Sequence, residues 1–113
     1  MPSESSRKRN TQYCVVFITA PNEKEAWLLS ETLVDEKLAA CASMAPVRSI
    51  YTWKNKTERS EEVLLICKTK TSLLAKLIKR VKALHSYEVP EIVALPIIGG
   101  SVEYLEWVAE STE

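Results

Sequence analysis

Glycine and histidine are scarce in this chain of 113 residues, which has two glycines and a single histidine. The adjacent Gly99 and Gly100 do not form the glycine-rich loop that cradles phosphate groups, and no Ser-His-Asp set with evident spacing is present. These absences argue against phosphate-loop chemistry and against nucleophilic catalysis. We therefore expect that the protein is not an enzyme.

The chain also lacks net charge, paired cysteines and long apolar runs. Fifteen basic residues balance fifteen acidic ones, so no overall field attracts nucleic acid or an anionic membrane. Its three cysteines include no Cys-x-x-Cys pair, which favours free thiols in a reducing compartment. No apolar run reaches the roughly 18 residues of a membrane helix, and no signal-peptide core is evident. We expect a cytoplasmic protein that binds neither nucleic acid nor membrane.

What the chain does contain is a regular succession of strand and helix patterns. Residues 1–11 are polar and charged and predict a disordered N-terminal tail, followed by a single domain over 12–113. Four apolar, β-branched runs predict strands, and three amphipathic segments with capping residues predict helices. The predicted strands are 13–20, 38–53, 58–70 and 91–97, and the predicted helices follow Asn22, Thr71 or Ser72, and Ser101.

The element order is therefore β-α-β-β-α-β-α. Two right-handed βαβ units give an α+β, ferredoxin-like sandwich, with an antiparallel sheet and helices on one face. The first and third strands are then central, and the second and fourth, which contain Pro46 and Pro96, form the edges. Since apolar edges pair with other chains, we predict a homo-oligomer closed by strand pairing between subunits.

Local patterns add two finer predictions. Residues 54–57 predict the turn between the second and third strands, with Asn55 in the left-handed conformation. The spacing of Val102, Leu105 and Val108 predicts that these three side chains of the last helix face the core.

Six segments, in one order and nearly without gaps, carry a resemblance to a known family. They are TAPNEKEA near residue 20, EKLAACASM (36–44), SIYTWKNK (49–56), EEVLLICKT (61–69), HSYEVPEIVALPI (85–97) and YLEWV (104–108). Over roughly residues 12–110 the chain resembles the CutA family, called divalent-cation tolerance proteins. The resemblance implies a homotrimer in which edge strands extend the sheets of neighbouring subunits, similar in architecture to PII-type signalling proteins.

The resemblance also implies a candidate copper site. In bacterial members that resemble copper binders, the site looks like a cysteine at the end of the first strand plus two adjacent histidines. Here those positions hold Ile18, Leu84 and His85, and a firm copper or zinc site uses three or four ligands. Two interpretations of His85 stay open. It could bind a divalent cation weakly with Glu88 or Glu91, or it could close the end of a helix through its ring donors.

A second set of residues predicts a cleft between subunits. These residues are Tyr51, Trp53, Glu62, Lys68, Tyr87 and Glu91. Lys68 lies in a mostly apolar strand and needs a counter-charge, which Glu91 or the Glu62 of a neighbouring chain could supply. The aromatic side chains would form the walls. Such a cleft could bind an anion or a small metabolite, or it could be a salt-bridge network that sets the register of the trimer.

These features lead to two hypotheses about function. The first is a trimeric, cytoplasmic, CutA-like protein in divalent-cation tolerance that binds copper or another divalent cation through His85. The second is a non-catalytic small-ligand sensor or interaction scaffold that uses the cleft between subunits, in the manner of PII-type trimers.

Overall fold

A computed structural model describes residues 12–113. The strands are β1 (Tyr13–Ala20), β2 (Cys41–Trp53), β3 (Lys56–Lys70) and β4 (Ile92–Pro96), and the helices are α1 (Glu23–Asp35), α2 (Leu74–Leu84) and α3 (Val102–Glu110). This order confirms the predicted β-α-β-β-α-β-α succession. The tail predicted at residues 1–11 lies outside the described residues.

All four strands form one antiparallel sheet in the order β2-β3-β1-β4. In the centre, Ile18 of β1 pairs with Leu65 of β3 on one side and with Ile92 of β4 on the other. β2 and β4 are the edges, as predicted, and contain Pro46 and Pro96. An edge tolerates proline because one side of the strand donates no ladder hydrogen bonds. The α+β, ferredoxin-like fold is confirmed.

The core lies between one face of the sheet and helices α1 and α2. Its largest fully buried side chains are Val16, Ile18, Leu29, Leu33, Leu65, Cys67, Leu77 and Val81. They alternate along the strands and recur at three- or four-residue spacing along the helices, as each geometry requires. Burying one aliphatic side chain of this size contributes about 2 kcal/mol, so this layer dominates the stability of the chain.

Two of the three helix N-caps predicted from the sequence are confirmed by the structure. Asn22 caps α1 because its Oδ1 accepts a 2.8 Å hydrogen bond from Glu25 N. Ser101 caps α3 in the same way, by accepting a bond from the amide of Tyr104. The cap predicted for α2 at Thr71 or Ser72 is wrong. A 3₁₀ turn occupies Thr71–Leu73, and the helix that follows has no side-chain cap.

The β2–β3 hairpin is tighter than predicted. Only Lys54 and Asn55 lie between the strands, and both have positive φ. Two-residue hairpins favour this conformation because it matches the right-handed twist of the flanking strands. The left-handed Asn55 is confirmed, and β3 begins at Lys56 rather than at residue 58.

Helix α3 packs apart from the main core. Val108 is fully buried and Leu105 is partly buried, but Val102 is exposed, so its predicted inward position is wrong. The hydroxyl of Tyr104 lies 3.5 Å from the sulfur of Cys41. Residue alternation along the sheet puts that sulfur on the face away from α1 and α2. Within the described part of the chain, no helix is long and apolar enough to span a membrane.

Candidate functional site

A cavity of about 1030 Å³ lies beside the β2–β3 hairpin. Four parts of the chain line it: Thr19 at the end of β1, residues 48–53 of β2, Glu62 of β3 and residues 86–91 between α2 and β4. Five of the six residues predicted for a cleft meet here, all except Lys68. The single chain therefore brings together most of a site that the sequence placed between subunits.

The strand register brings the aromatic residues and Glu62 to one face of the sheet. Val47 pairs with Glu62, and Tyr51 pairs with Glu58. Directly paired residues share a face, and so do residues two apart along a strand. Tyr51, Trp53 and Glu62 therefore point to the same side of the hairpin.

Glu62 is the buried charge of the cavity. Glu62 is only 7% exposed, and its Oε2 accepts a 2.8 Å hydrogen bond from Tyr87 Oη. Burial, followed by this bond to Glu62, raises the pKa of Tyr87, so the phenol remains a donor at neutral pH. Among residues 12–113, Glu62 forms no ion pair. A largely buried carboxylate normally has a cationic partner.

His85 follows α2, and both of its ring nitrogens are engaged. Nε2 lies 2.7 Å from the carbonyl oxygen of Thr19, and Nδ1 lies 3.1 Å from the backbone nitrogen of Tyr87. A carbonyl only accepts and an amide N–H only donates. Nε2 therefore carries the hydrogen, and Nδ1 accepts.

A second neighbour of Nδ1 would favour the opposite arrangement. Oε2 of Glu25 lies 3.3 Å from Nδ1, which would suit a protonated ring. The same oxygen already accepts hydrogen bonds from both Ser86 N and Ser86 Oγ, at 2.9 and 3.1 Å. The amide contact of His85 is also the shorter of the two, so we assign the ring as an acceptor at Nδ1.

These contacts leave His85 no free lone pair for a metal. The other two positions of the implied copper site also lack ligand atoms, because Ile18 is fully buried in the core and Leu84 packs against it. Among the described side chains, no group of three or more His, Cys, Asp or Glu could hold a metal ion. The residues present do not fit the implied copper site. The ring of His85 donates to the carbonyl of Thr19 in β1, and only its backbone N–H donates to a carbonyl of α2, that of Val81.

Lys68 lies at the far end of β3 from the cavity. It pairs with Val15 and Cys41, and six residues of strand place it about 20 Å from Glu62. Lys68 has no ion-pair partner in the described range, so the proposed contact with Glu91 of the same chain is absent. Contact with Glu62 of a neighbouring chain stays a prediction.

Sequence reasoning missed two residues that shape the site. Arg48 lines the cavity, and Glu25 holds the loop after α2 through its bonds to Ser86. Arg48 lies two residues after Pro46, in the polar half of β2. Its closeness in sequence to Tyr51 could have indicated that it belongs to the same site. No local pattern relates Glu25 to Ser86, because 61 residues separate them.

The family model described as CutA1 divalent ion tolerance protein matches residues 14–111. The chain belongs to the CutA family. It is 50% identical over 99 residues to the divalent-cation tolerance protein CutA of Thermus thermophilus, covering 87% of this chain and 96% of that protein. It is 48% identical over 99 residues to the chloroplastic CutA of Arabidopsis thaliana, covering 87% of this chain. The chain spans 54% of the Arabidopsis protein and 65% of CutA 1 from rice.

Solved structures of the CutA family agree with this fold. CutA1 from Thermus thermophilus superposes with a TM-score of 0.87 at 49% identity, covering 89% of this chain and 99% of that one. CutA1 from Oryza sativa gives a TM-score of 0.88 at 45% identity, covering 92% and 96%. The names of the family model and of the Thermus thermophilus protein refer to tolerance of divalent ions and to no reaction.

Proposed function

We propose that this chain acts in divalent-cation tolerance as a non-catalytic homotrimer that binds a small ligand in the cavity beside the β2–β3 hairpin. The names of its relatives support the tolerance role. The observation that carries the binding role is Glu62, a buried carboxylate with no cationic partner among residues 12–113, on the wall of a cavity of about 1030 Å³. The three free cysteines of the chain support a reducing, cytoplasmic location for the protein.

The homotrimer follows from surfaces that a single chain leaves open. β4 is an edge strand, and Leu95 in it is 52% exposed. Val93, on the same face, is also exposed. An apolar edge of this kind pairs with another strand or aggregates. A second copy of the chain supplies an equivalent edge in β2, which makes closed self-assembly the natural solution.

Direct binding of a divalent cation is the second candidate function. The observation that favours it is the names of the family model and of the Thermus thermophilus relative, which refer to divalent ions, together with carboxylates on the cavity wall that form no three-ligand group within residues 12–113. Carboxylate oxygens are suitable ligands for hard divalent cations. His85 is not expected to take part, because its ring nitrogens already hold Thr19 and Tyr87.

A growth experiment tests the proposed function. The full chain is expressed in a host that lacks its own CutA protein and is sensitive to added copper. We expect wild type to restore growth and Glu62→Gln to fail, because Glu62→Gln removes the buried charge. Glu61→Gln makes the same change one residue away on the opposite face of β3 and should behave as wild type.

Calorimetry with Cu²⁺ then separates the two candidates. The ligand proposal predicts no saturable Cu²⁺ binding to the wild-type protein at micromolar concentration. Stoichiometric binding would contradict it: loss in Glu62→Gln, with thermal unfolding unchanged, would support cation binding by the carboxylates, and loss in His85→Asn would support the implied copper site. Full growth with Glu62→Gln would contradict the role of the cavity.

A further inference from the structure

We propose that the cavity binds a small organic cation, an ammonium group carried on a short apolar chain. The inference rests on the proposed function and adds the chemical class of the ligand. It replaces the anionic metabolite that the sequence left open.

The charge of the cavity lining excludes a small anion as the preferred ligand. Glu62, Glu88 and Glu91 contribute three negative charges, and Arg48 contributes one positive charge, which leaves a net charge of −2. A concave surface of one sign concentrates ligands of the opposite sign. Glu25 adds a further carboxylate behind the loop, where Ser86 holds it.

Glu62 provides the anchor for the cation. Only its Oε2 has a hydrogen-bond partner in the described chain, the hydroxyl of Tyr87 at 2.8 Å. The residue is 93% buried, and no cationic side chain within residues 12–113 of the same protomer pairs with it. An ammonium N–H supplies a donor and the opposite charge, and such charge-assisted bonds are among the strongest in proteins.

Aromatic rings and apolar side chains suit the rest of such a ligand. Tyr51, Trp53 and Tyr87 line the same cavity as Glu62, and the negative face of an aromatic ring attracts an organic cation. Ile50 and Val89 also line the cavity and offer surface for a short carbon chain. The lining therefore combines a charged anchor with apolar walls.

The position of Tyr87 in this site is held from outside the cavity. Its ring packs against the ring of His85 with centroids 4.9 Å apart, and its amide donates to His85 Nδ1. His85 is fixed in turn by the carbonyl of Thr19. The hydroxyl that contacts Glu62 is thus placed in advance, and a ligand need not order it on binding.

A bare metal ion fits this cavity less well than an organic cation. Divalent ions take several oxygen or nitrogen ligands at about 2.0–2.6 Å. The carboxylates that line the cavity do not converge, because no group of three ligating side chains is found within residues 12–113. A volume of about 1030 Å³ instead suits a small molecule.

Three probes of similar size and different charge test the proposal. The full-length protein, in its own assembly state, is titrated with n-butylammonium, n-butanol and butyrate, and binding is followed by calorimetry and ligand-observed NMR. We expect saturable binding of n-butylammonium alone. Glu62→Gln should weaken that binding by about tenfold or more, because a neutral amide replaces the carboxylate.

Two controls address damage to the fold. Glu61→Gln removes the same charge on the opposite face of β3 and should bind n-butylammonium as wild type does. A thermal unfolding midpoint of Glu62→Gln close to that of wild type is the second control, because it shows that the weaker binding does not come from a damaged fold.

Several outcomes would overturn the proposal. They are preferred binding of butyrate, equal binding of all three probes, no binding of n-butylammonium, and binding unchanged in Glu62→Gln. If Glu62→Gln fails in the growth experiment but n-butylammonium does not bind, the ligand class is wrong and the proposed function stands. If Glu62→Gln also supports growth, both fail.

Discussion

The ring of His85 joins three parts of the chain that are distant in sequence. It donates to Thr19 at the end of β1, accepts from the amide of Tyr87 and packs on the ring of Tyr87. Tyr87 then donates to Glu62 of β3. These contacts give His85 a positioning role: it holds Tyr87, and Tyr87 in turn contacts Glu62.

At the same scale, the thiols of Cys14 and Cys67 are predicted to be unreactive in the folded protein. Burial raises the pKa of both, that of Cys67 to about 12, and the thiolate is the reactive form. We expect a disulfide reagent to label these two residues at neutral pH at least about tenfold more slowly in the native protein than in denaturant.

The partly exposed Cys41 serves as the internal control, and mass spectrometry assigns the labelled sites. Native labelling of Cys67 at the rate of the unfolded chain would refute the burial. The raised pKa of Cys67 also gives a sign for the pH dependence. Its stabilisation is complete below about pH 9, the value for a free thiol, and is lost as the pH rises toward about 12.

At the scale of elements, α1 ends in a Schellman motif without glycine. Lys37 has a φ of 62°, its amide donates to Val34 O, and the amide of Leu38 donates to Leu33 O. Leu33 and Leu38 are both buried, which supplies the hydrophobic contact typical of this motif. The motif turns the chain from α1 toward the start of β2, so it helps place the hairpin that borders the cavity.

Lys37→Gly is expected to stabilise the protein by about 0.5–1 kcal/mol, because glycine adopts a positive φ without strain from a Cβ atom. Urea unfolding at fixed protein concentration measures the effect as a higher midpoint with an unchanged slope.

Lys37→Ala is the matched control for the Lys37→Gly experiment. It removes the same side chain but keeps the Cβ atom, so it should leave the midpoint nearly unchanged. A lower midpoint for Lys37→Gly than for Lys37→Ala would contradict the role of the left-handed conformation.

At the scale of the whole molecule, the surface away from the core is too apolar for an isolated chain. Leu95 in β4, Ile98 after it and Trp107 in α3 are all exposed. Exposed apolar side chains along an edge strand and the segment that follows it mark an interaction surface. Self-assembly through β4 would cover part of this surface.

Light scattering coupled to size exclusion should therefore give a mass near three times the 12.8 kDa of one chain. Leu95→Lys should shift the protein toward smaller species, because a charge at a paired edge opposes strand association. Trp27→Lys is the control: Trp27 is also 52% exposed but lies on α1, on the other side of the sheet. A wild-type monomer at micromolar concentration would refute the trimer.

The sequence was most informative where structure depends on local pattern. The apolar, β-branched run at 13–20 and the cap at Asn22 both predicted elements that the structure contains, because neighbours along the chain decide them. It was least informative at Lys68 and Val102. The surroundings of Lys68 and Val102 depend on which end of a strand or helix packs against another element. The periodicity of apolar residues does not specify which end that is.

Residue pattern alone was enough to establish the order of elements, the edge positions of β2 and β4 and membership of the CutA family, since apolar periodicity and motif order are properties of the chain itself. The folded structure alone decided that Glu62 and Tyr87 are bonded across 25 positions of sequence, that His85 has no free nitrogen and that the cavity is acidic. These features arise from contacts between distant segments. Their charges and hydrogen bonds become defined only when the sheet brings those segments together.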